Sequence, residues 1–507
     1  MRISTTFGQP LPDQRAHIPS ASGPFRILVM GDFGGARAWH KPVTVDRDNL
    51  EEVFARLKVQ VTLSARADLP ETTLRLQEMD DFHPDRLYEQ VELFDALRTR
   101  RQRLENDATF ADESAAIVDT RQPADDVSPQ TATPQQPAPQ QVSSQEPPVS
   151  AQDLLSQAVE QTQVSSKPMV QQIAEGQVNI DDLVRRIVAP YVIDKADPRQ
   201  AEFISGVDEA IAGTMRRLLH HPQFQQLEAA WLGLKMLIRR LETDASLQIS
   251  VLHVPRKQLE QDLTGSDNLQ QSGLYKLLVD ETSIMGAAPW TVVVGNYTFD
   301  AAADSVTLLA RIARVHAAAG TVFVAGGSPT IVGCDDLSAT PDPDDWGRPD
   351  EDSAERWQVL RNLPAAASVA LALPRILGRR PYGEETDPIE AFHFEEIPDG
   401  RIHSDYLWIN AAFAAATLLG DSFSRGGWQL SSAWSPELSG LPVHLYSDDG
   451  ESTLKPCAEA ALILRAGNIL GEAGLTVVHA VRGQDSALIP AVRALSATQE
   501  RLAGLWH

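Results

Sequence analysis

Cysteine is nearly absent from this 507-residue sequence, which contains only Cys334 and Cys457. Two cysteines cannot form a disulfide framework, and so few thiols in a long chain are typical of a reducing compartment. Long apolar stretches are missing as well. No run of about 20 apolar residues could cross a bilayer, and residues 1–20 lack the apolar centre of a signal peptide. The sequence therefore predicts a cytoplasmic protein that is not inserted in a membrane.

Positive charge is also scarce. The chain has 44 lysines and arginines against 69 acidic residues, which gives a formal net charge of −25. A nucleic-acid partner would require a clustered positive face. The short basic clusters, at Arg98–Arg103, Arg185–Arg186 and Arg379–Arg380, are more typical of solvated helix faces or protein contacts. We expect no nucleic-acid partner.

Recognisable catalytic and ligand-binding motifs are missing too. The histidines are scattered without an H-E-x-x-H spacing, and there is no C-x-x-C, G-x-S-x-G or Walker motif. The neighbouring carboxylates Glu395 and Glu396 would point to opposite faces of a strand, which makes them a poor acid–base pair. We therefore expect no catalytic residue, no metal ligand, no cofactor and no enzymatic activity.

Two glycine-rich turns leave a ligand-binding alternative open. The apolar run Phe25–Met30 leads into Gly31–Gly35, and a second apolar run leads into Ala325–Pro329. A strand that runs into such a turn can cradle a phosphate group. Neither turn has the following Lys-Ser/Thr or the G-x-G-x-x-G spacing that phosphate sites use. The simpler interpretation is a turn that allows close backbone packing.

The clearest pattern in the sequence lies between Met215 and Val254. Its first half has apolar residues at the spacing of one buried helix stripe, and its second half alternates as a strand does. Residues 291–325 then form a strand–helix–strand pattern, in which Gly295 is expected to end the first strand. Together these patterns predict an α/β fold with mixed α and β layers.

A change of composition divides the chain. Residues 112–150 are rich in proline, glutamine and serine, and they have too few large apolar residues to offset the entropy of folding. We expect a disordered linker between two globular parts. The predicted divisions are an N-terminal arm at 1–23, a first domain at 24–111, the linker at 112–150, helices at 151–200 and a second domain at 201–507.

The second domain resembles the large sheath subunit of bacterial type VI secretion systems. HHPQFQQLEAAWLGLKMLI at residues 220–238 is similar to the opening helix of that subunit. The helix around Trp357, LPRILGRRPYG at residues 373–383 and the segment at 405–419 follow in the family's order. The resemblance covers residues 150–490 and implies the sheath-protein fold.

The first domain resembles the small sheath subunit of the same system. VDRDNLEEVFARL at residues 45–57 and MDDFHPDRLYEQV at residues 79–91 carry this resemblance, which covers residues 24–108. The chain is therefore interpreted as a fusion of two subunits that are usually separate proteins. A fusion of this kind would fix their ratio at one to one.

The resemblance implies a mechanical function. Sheath subunits assemble around an inner tube, and contraction of the sheath propels the tube. The implied partners are other sheath subunits, the inner tube protein, the baseplate and a ClpV-type AAA+ unfoldase. In the large subunit an N-terminal helix with paired leucines resembles the handle that the unfoldase grips. Here that role falls on Leu154, Leu155 and Val159.

The resemblance weakens at the C-terminus. The large subunit normally continues beyond this point, so the large-subunit segment is expected to be shortened, and residues 492–507 are expected to form one helix. A missing terminal strand would affect how neighbouring subunits exchange strands. An accessory or capping subunit that does not polymerise alone is therefore the alternative function within the same apparatus.

Overall fold

The computed structural model describes residues 23–39, 41–66, 69–120, 198–283, 288–400, 402–448 and 450–506. The chain forms two compact units, one of residues 1–98 with 208–507 and one of residues 99–207. The strands are β1 Phe25–Gly31, β2 Val43–Thr44, β3 Gln60–Leu63, β4 Thr72–Arg75, β5 Leu247–His253, β6 Val292–Phe299, β7 Val322–Gly327, β8 Val369–Leu373, β9 Ile376–Leu377, β10 Trp408–Ile409, β11 Glu437–Leu438, β12 His444–Asp448, β13 Glu451–Lys455, β14 Thr476–Val477, β15 His479–Ala480 and β16 Ala487–Leu488.

The helices alternate with these strands, as expected for an α/β fold. They are α1 Leu50–Leu57, α2 Pro84–Gln90, α3 Asp95–Glu105, α4 Asp107–Thr120, α5 Pro198–Leu219, α6 Pro222–Arg240, α7 Arg256–Thr264, α8 Gly273–Tyr275, α9 Ala303–Ala319, α10 Glu351–Arg361, α11 Ala411–Gly426 and α12 Leu464–Glu472. None of the helices in the described ranges is long and apolar enough to cross a membrane.

A seven-stranded sheet forms the centre of the larger unit. Its strand order is β14-β8-β7-β6-β1-β5-β2, and every pairing is parallel except that of β2 with β5. Strands β1, β7 and β8 are buried on both faces, which explains why their sequences are nearly continuous apolar runs and not alternating ones.

Strand β1 brings the two sheath-like segments into one sheet. Ile27 pairs with Ile249 of β5 on one side and with Val292 of β6 on the other. An apolar strand must have both edges hydrogen-bonded and both faces covered when it is buried. The segments before and after the expected boundary at residue 111 therefore contribute neighbouring strands to the same sheet.

Helices cover both faces of the sheet. Leu28 and Met30 join a core cluster with apolar residues of α7, α9 and α10. Side chains alternate along a strand, and on the other face Phe25 packs against Phe423 of α11, with ring centroids 4.8 Å apart. Helix α6 packs on α11 so closely that a Cβ at Gly233 would collide with the ring of Phe413.

The smaller unit is described for residues 99–120 and 198–207. Phe110 of α4 packs edge-on against Phe203 of α5 at 6.0 Å between ring centroids. The buried Gln200 donates its side-chain N–H to the carbonyl of Leu104 at 2.7 Å. Residues 112–120, which the composition assigned to the linker, continue helix α4. The rest of the predicted linker lies outside the described residues, as does the predicted arm up to residue 22.

The expected C-terminal helix is wrong. Residues 492–506 are irregular, with one isolated bridge between Arg493 and Arg501. Their amides bond sideways to the sheet region and not along a helix: Leu495 donates to the carbonyl of Val369, and Ala503 donates to that of Ala367. These bonds supply hydrogen-bond partners for the backbone, and apolar side chains of the segment are buried. Tertiary packing therefore overrides the local preference for a helix.

Helix α1 begins at Leu50, and Val43–Thr44 before it pairs with β5 as a strand. One local prediction also differs from the structure. Strand β6 continues through Gly295, where a register shift separates its two halves. A side chain at Gly295 would collide with the ring of Phe323. The glycine therefore permits close packing inside the strand and does not end it.

Candidate functional site: the carboxyl edge of the sheet and a buried ion cluster

The first glycine-rich turn leaves β1 at the carboxyl edge of the parallel strands. Phe33 is buried and meets Trp231 of α6 edge-on, with ring centroids 5.3 Å apart. The indole N–H of Trp231 donates to the Phe33 carbonyl at 3.2 Å. Gly34 has a φ of +67°, and a Cβ there would lie 2.8 Å from the carbonyl oxygen of Gln60. The positive φ and the close packing together account for this glycine.

His253, the last residue of β5, holds the same turn. Its Nδ1 accepts the N–H of Phe33 at 3.0 Å and that of Gly35 at 3.4 Å. Because Nδ1 accepts, the neutral imidazole carries its proton on Nε2. Burial lowers the pKa of His253, and the carboxylate of Asp32, 3.6 Å away, opposes that shift. Only the fold reveals this contact, since the two segments are more than 200 residues apart in sequence.

A cavity of about 810 Å³ opens beside this turn, lined by Asp32, Asn296, Thr298 and Asn410 among others. Two arginines also line it, and both already have internal partners. Arg256 bonds to Glu260 and Ser305, and Arg375 forms a bidentate pair with Glu459. The cavity wall thus offers amide and hydroxyl groups rather than an uncommitted positive charge.

The second glycine-rich turn is also explained by packing. A Cβ at Gly326 would lie 2.9 Å from the side-chain nitrogen of Asn410. That Asn410 nitrogen donates to the carbonyl of Tyr297 at 3.0 Å, which ties α11 to β6. Ser328 accepts the N–H of Thr330 at 3.3 Å and begins a short 3-10 turn, Pro329–Val332.

A buried ion cluster is centred on Arg379, in the segment LPRILGRRPYG at residues 373–383. The Arg379 guanidinium lies between two carboxylates, with Nε 2.6 Å from Glu228 of α6 and Nη1 2.7 Å from Glu396. Both glutamate side chains are 2% exposed. The guanidinium also stacks 4.0 Å from the centre of the Tyr382 ring, and Glu396 accepts the N–H of Tyr382. The expectation that Arg379 lies on a solvated face is therefore wrong, because burial is possible once two carboxylates surround the guanidinium.

The pKa values of the two carboxylates in this cluster are shifted in opposite directions. Burial raises the pKa of Glu228, and Arg379 only partly offsets it. Burial would also raise the pKa of Glu396, but the charges of Arg379 and the nearby His220 lower it to about 2. His220 lies 3.6 Å from Glu396 and 3.6 Å from Asp405, so it extends the cluster to a further segment.

The cluster fastens segments that are far apart in sequence. Glu228 lies on α6, Arg379 and Tyr382 follow β9, and Glu396 lies in the irregular segment before β10. Breaking a buried pair by removing one partner leaves an uncompensated charge and is strongly destabilising. The arrangement therefore acts as a specific internal clamp, and its groups bond to each other rather than facing a substrate.

The predicted unfoldase handle and the two cysteines complete the set of residues that the sequence singled out. Leu154, Leu155 and Val159 lie outside the described residues. Cys334 and Cys457 are both free and buried. Within the described ranges, no group of three or more His, Cys, Asp or Glu side chains is arranged to hold a metal ion.

The fold and these contacts define a class of protein, namely an α/β protein with a central, mostly parallel sheet whose two glycine-rich turns and buried ion cluster take part in internal packing. Comparison with known families identifies the particular one. Residues 201–496, more than half of the chain, match the VipB family, described as EvpB/VC_A0108, tail sheath N-terminal domain. The chain belongs to this tail-sheath family.

The N-terminal segment matches a second sheath family. Residues 13–120 match the family described as Type VI secretion system, VipA, VC_A0107 or Hcp2. The chain is thus a fused TssB/TssC-like sheath protein, as the sequence predicted. It is also similar to the type VI secretion system sheath protein TssC1 of Pseudomonas aeruginosa, with 34% identity over 267 residues, which cover 51% of this chain and 54% of that protein. The match spans about half the length of that relative.

Proposed function

We propose that this chain is a structural, non-enzymatic subunit of the type VI secretion contractile sheath. It assembles around an inner tube, and contraction of the assembly propels the tube. Membership of the tail-sheath family supports this proposal, and so does the similarity of residues 13–120 to the other sheath family. The partners we propose are further sheath subunits, the inner tube protein and the baseplate, in the cytoplasm.

One observation carries the proposal furthest. Strand β1 from the VipA-like segment is hydrogen-bonded on both edges to β5 and β6 of the VipB-like segment. The fusion therefore holds segments of both sheath families in one folded unit, at a ratio of one to one. Such a chain is suited to be a building block of a lattice.

The mechanism we propose is a switch between two packings of the same subunit. An extended lattice is less stable than a contracted one, and the difference in free energy between them drives the tube. The subunit itself must then move as a rigid body. The clamp formed by Arg379, Glu228 and Glu396 supports this, because it fixes α6 to the segments around β9 and β10.

Assembly is tested by negative-stain electron microscopy of the purified chain, alone and mixed with cognate sheath proteins. We expect tubular or cogwheel-like polymers from the chain alone. Monomers alone, with incorporation in the mixture, would instead establish the accessory or capping subunit. Absence of polymers in both samples would contradict a sheath function.

A ligand-binding function is the alternative from another class. The cavity of about 810 Å³ at the carboxyl edge of the sheet favours it, since ligands of α/β proteins bind at that edge. A thermal-shift screen with nucleotides and other small phosphates tests it. A saturable ligand with sub-millimolar affinity would support the alternative and count against a purely structural function.

Recycling by a ClpV-type unfoldase is a separate part of the proposal. We place the handle at Leu154, Leu155 and Val159. Replacing Leu154 and Leu155 by alanine should abolish capture by the unfoldase in a pull-down while the circular dichroism spectrum stays unchanged. Replacing the nearby polar Gln152 and Gln157 by alanine is the matched control. Unchanged capture by the leucine variant would remove this assignment.

A further inference from the structure

The hairpin of β12 and β13 forms a sheet of its own. Five residue pairs join the strands, from His444 with Lys455 to Asp448 with Glu451. The sheet has two strands only. Among the residues that the structure describes, no backbone hydrogen bond links another segment to either strand. Both edges of this hairpin therefore lack a strand partner within the described chain.

The geometry of the ladder fixes which groups face outward. A two-residue connection joins Asp448 and Glu451, so that pair exchanges both of its backbone hydrogen bonds, and the pairs then alternate along the ladder. The backbone groups of Thr453 consequently point toward β12. Those of Ser452 and Leu454 point away from it, along the free edge of β13.

The two faces of the hairpin differ. The inner face packs on Tyr406, in the segment just before β10. His444 shares a hydrogen bond of 2.8 Å with the Tyr406 hydroxyl, and the Lys455 ammonium lies 4.9 Å from the centre of the Tyr406 ring. The outer face carries Leu445 and Leu454, which are paired across the strands. Leu445 is 63% exposed, and a large apolar side chain at an open strand edge is a usual mark of an interaction surface.

The sequence of β13 indicates what fits its edge. The strand reads Glu451-Ser-Thr-Leu-Lys455, with an acid at one end and a base at the other. Two copies that pair antiparallel about Thr453 place each Glu451 opposite the other copy's Lys455. The same arrangement sets Ser452 opposite Leu454, and these are the residues whose backbone groups face outward.

Other pairings of this hairpin are less favourable. If β13 joined β12 of a second copy in the register of the hairpin itself, Lys455 would lie opposite His444, and Glu451 would gain no basic partner. The edge of β12 offers His444 as its only base, and that side chain is 9% exposed and hydrogen-bonded to Tyr406, whereas Lys455 is only half-buried. The charge pattern therefore selects β13 with β13.

We propose that the free edge of β13 is a contact between two copies of this chain, which pair antiparallel about Thr453 into a four-stranded sheet. The contact is closed by its own two-fold symmetry, so it joins two copies and cannot extend into a filament. This proposal therefore goes beyond the sheath function and describes a dimer of the unassembled chain. If the dimer proposal failed, the proposed sheath function would not be affected.

Cysteine cross-linking of the full chain tests the pairing. Two-fold pairing places Thr453 opposite itself in a pair without mutual backbone hydrogen bonds, where Cα atoms lie about 4.5 Å apart, a separation that a disulfide spans. Thr453→Cys should therefore give a disulfide-linked dimer under mild oxidation, visible on a non-reducing gel. The native cysteines are buried and serve as a silent background.

Ser447→Cys is the matched control, because Ser447 is exposed on the same hairpin but lies on β12. It should remain monomeric under the same oxidation. A folded Thr453→Cys protein that stays monomeric would overturn the proposal, and so would equal cross-linking of both variants, which would reflect random collision.

Charge reversal gives an independent test that needs no cysteine. Glu451→Lys places like charges opposite each other twice in the dimer and should weaken dimerisation about tenfold in sedimentation equilibrium. The double variant Glu451→Lys with Lys455→Glu restores two opposite-charge pairs and should recover the dimer. A dimer that is insensitive to the single reversal, or that the double reversal fails to recover, would contradict the proposed register.

Discussion

Trp231 donates its indole N–H to the carbonyl of Phe33 across 198 positions of sequence, and the rings of the two residues meet edge-on at 5.3 Å. Phe33 belongs to the VipA-like segment and Trp231 to the VipB-like segment. Phe54, also from the first segment, lies 4.5 Å from Trp231 between ring centroids. The indole therefore joins the two halves of the fusion inside one hydrophobic core.

Removing this indole should destabilise the whole larger unit. Trp231→Ala leaves a cavity where a fully buried side chain was, and we expect a loss of about 3–5 kcal/mol in the free energy of unfolding. Trp231→Phe keeps part of the ring packing but loses the hydrogen bond and some buried volume, so a smaller loss than that of the alanine variant, about 2 kcal/mol, is expected. Urea denaturation followed by circular dichroism measures both. Equal stability of the alanine variant and the native protein would contradict the role of this contact.

Cutting the chain between its two sheath-like segments should leave them associated. Strand β1 is hydrogen-bonded on both edges, so its segment is held by the sheet and not only by the covalent connection. A protease site introduced between residues 121 and 150 provides the cut. We expect both fragments to co-elute in gel filtration after cleavage and to separate only in denaturant. Separation of the fragments in native buffer would contradict the shared sheet.

The buried guanidinium should be indispensable to stability. Arg379→Ala leaves Glu228 and Glu396 buried without their cation, and the expected loss is about 3–5 kcal/mol. Arg380→Ala is the matched control, since the Arg380 side chain is exposed and, among the described residues, donates to the carbonyl of Thr386. Denaturation of both variants at neutral pH compares them. Similar stabilities would show that the clamp contributes little.

Acid should weaken the same cluster through Glu396. Its pKa in the folded protein is lowered to about 2, below the value of about 4.3 in an unfolded chain. A depressed pKa stabilises the fold above the unfolded value, and that contribution is lost as the pH falls from about 4 toward 2. Glu228 acts in the opposite direction, because its pKa is raised.

Replacement of Glu396 separates its contribution from that of other acids. Glu396→Gln should flatten the fall of stability between about pH 4 and pH 2, relative to the native protein. Glu390→Gln, at an exposed site in the same segment, should leave the profile unchanged. The measurement is urea denaturation across this range. An unchanged acid profile in Glu396→Gln would show that the carboxylate is not held ionised by Arg379.

Local patterns predicted most of the elements but not the contacts between them. The apolar stripe and the alternation in Met215–Val254 correctly indicated α6 and β5. The apolar run after residue 24 correctly indicated β1. Which strands flank β1 could not be predicted, because the pairing joins residues more than 200 positions apart and no local pattern encodes it.

The buried cluster was missed for the same reason. In the sequence, Arg379–Arg380 is a pair of adjacent bases, and only the fold shows that the first is enclosed by Glu228 and Glu396 while the second is exposed. The predicted C-terminal helix was wrong for a different reason. Its composition allows a helix, but its amides find partners on β8 and the turn before it, and those bonds decide its conformation.

Live-cell fluorescence imaging tests the proposed sheath function most directly. The chain carries a fluorescent protein and is expressed in a type VI-competent bacterium in place of the resident sheath subunits. We predict elongated fluorescent structures in the cytoplasm that shorten abruptly, together with delivery of the inner tube protein to the medium. Diffuse fluorescence with no elongated structure, and no tube protein in the medium, would contradict a contractile sheath function.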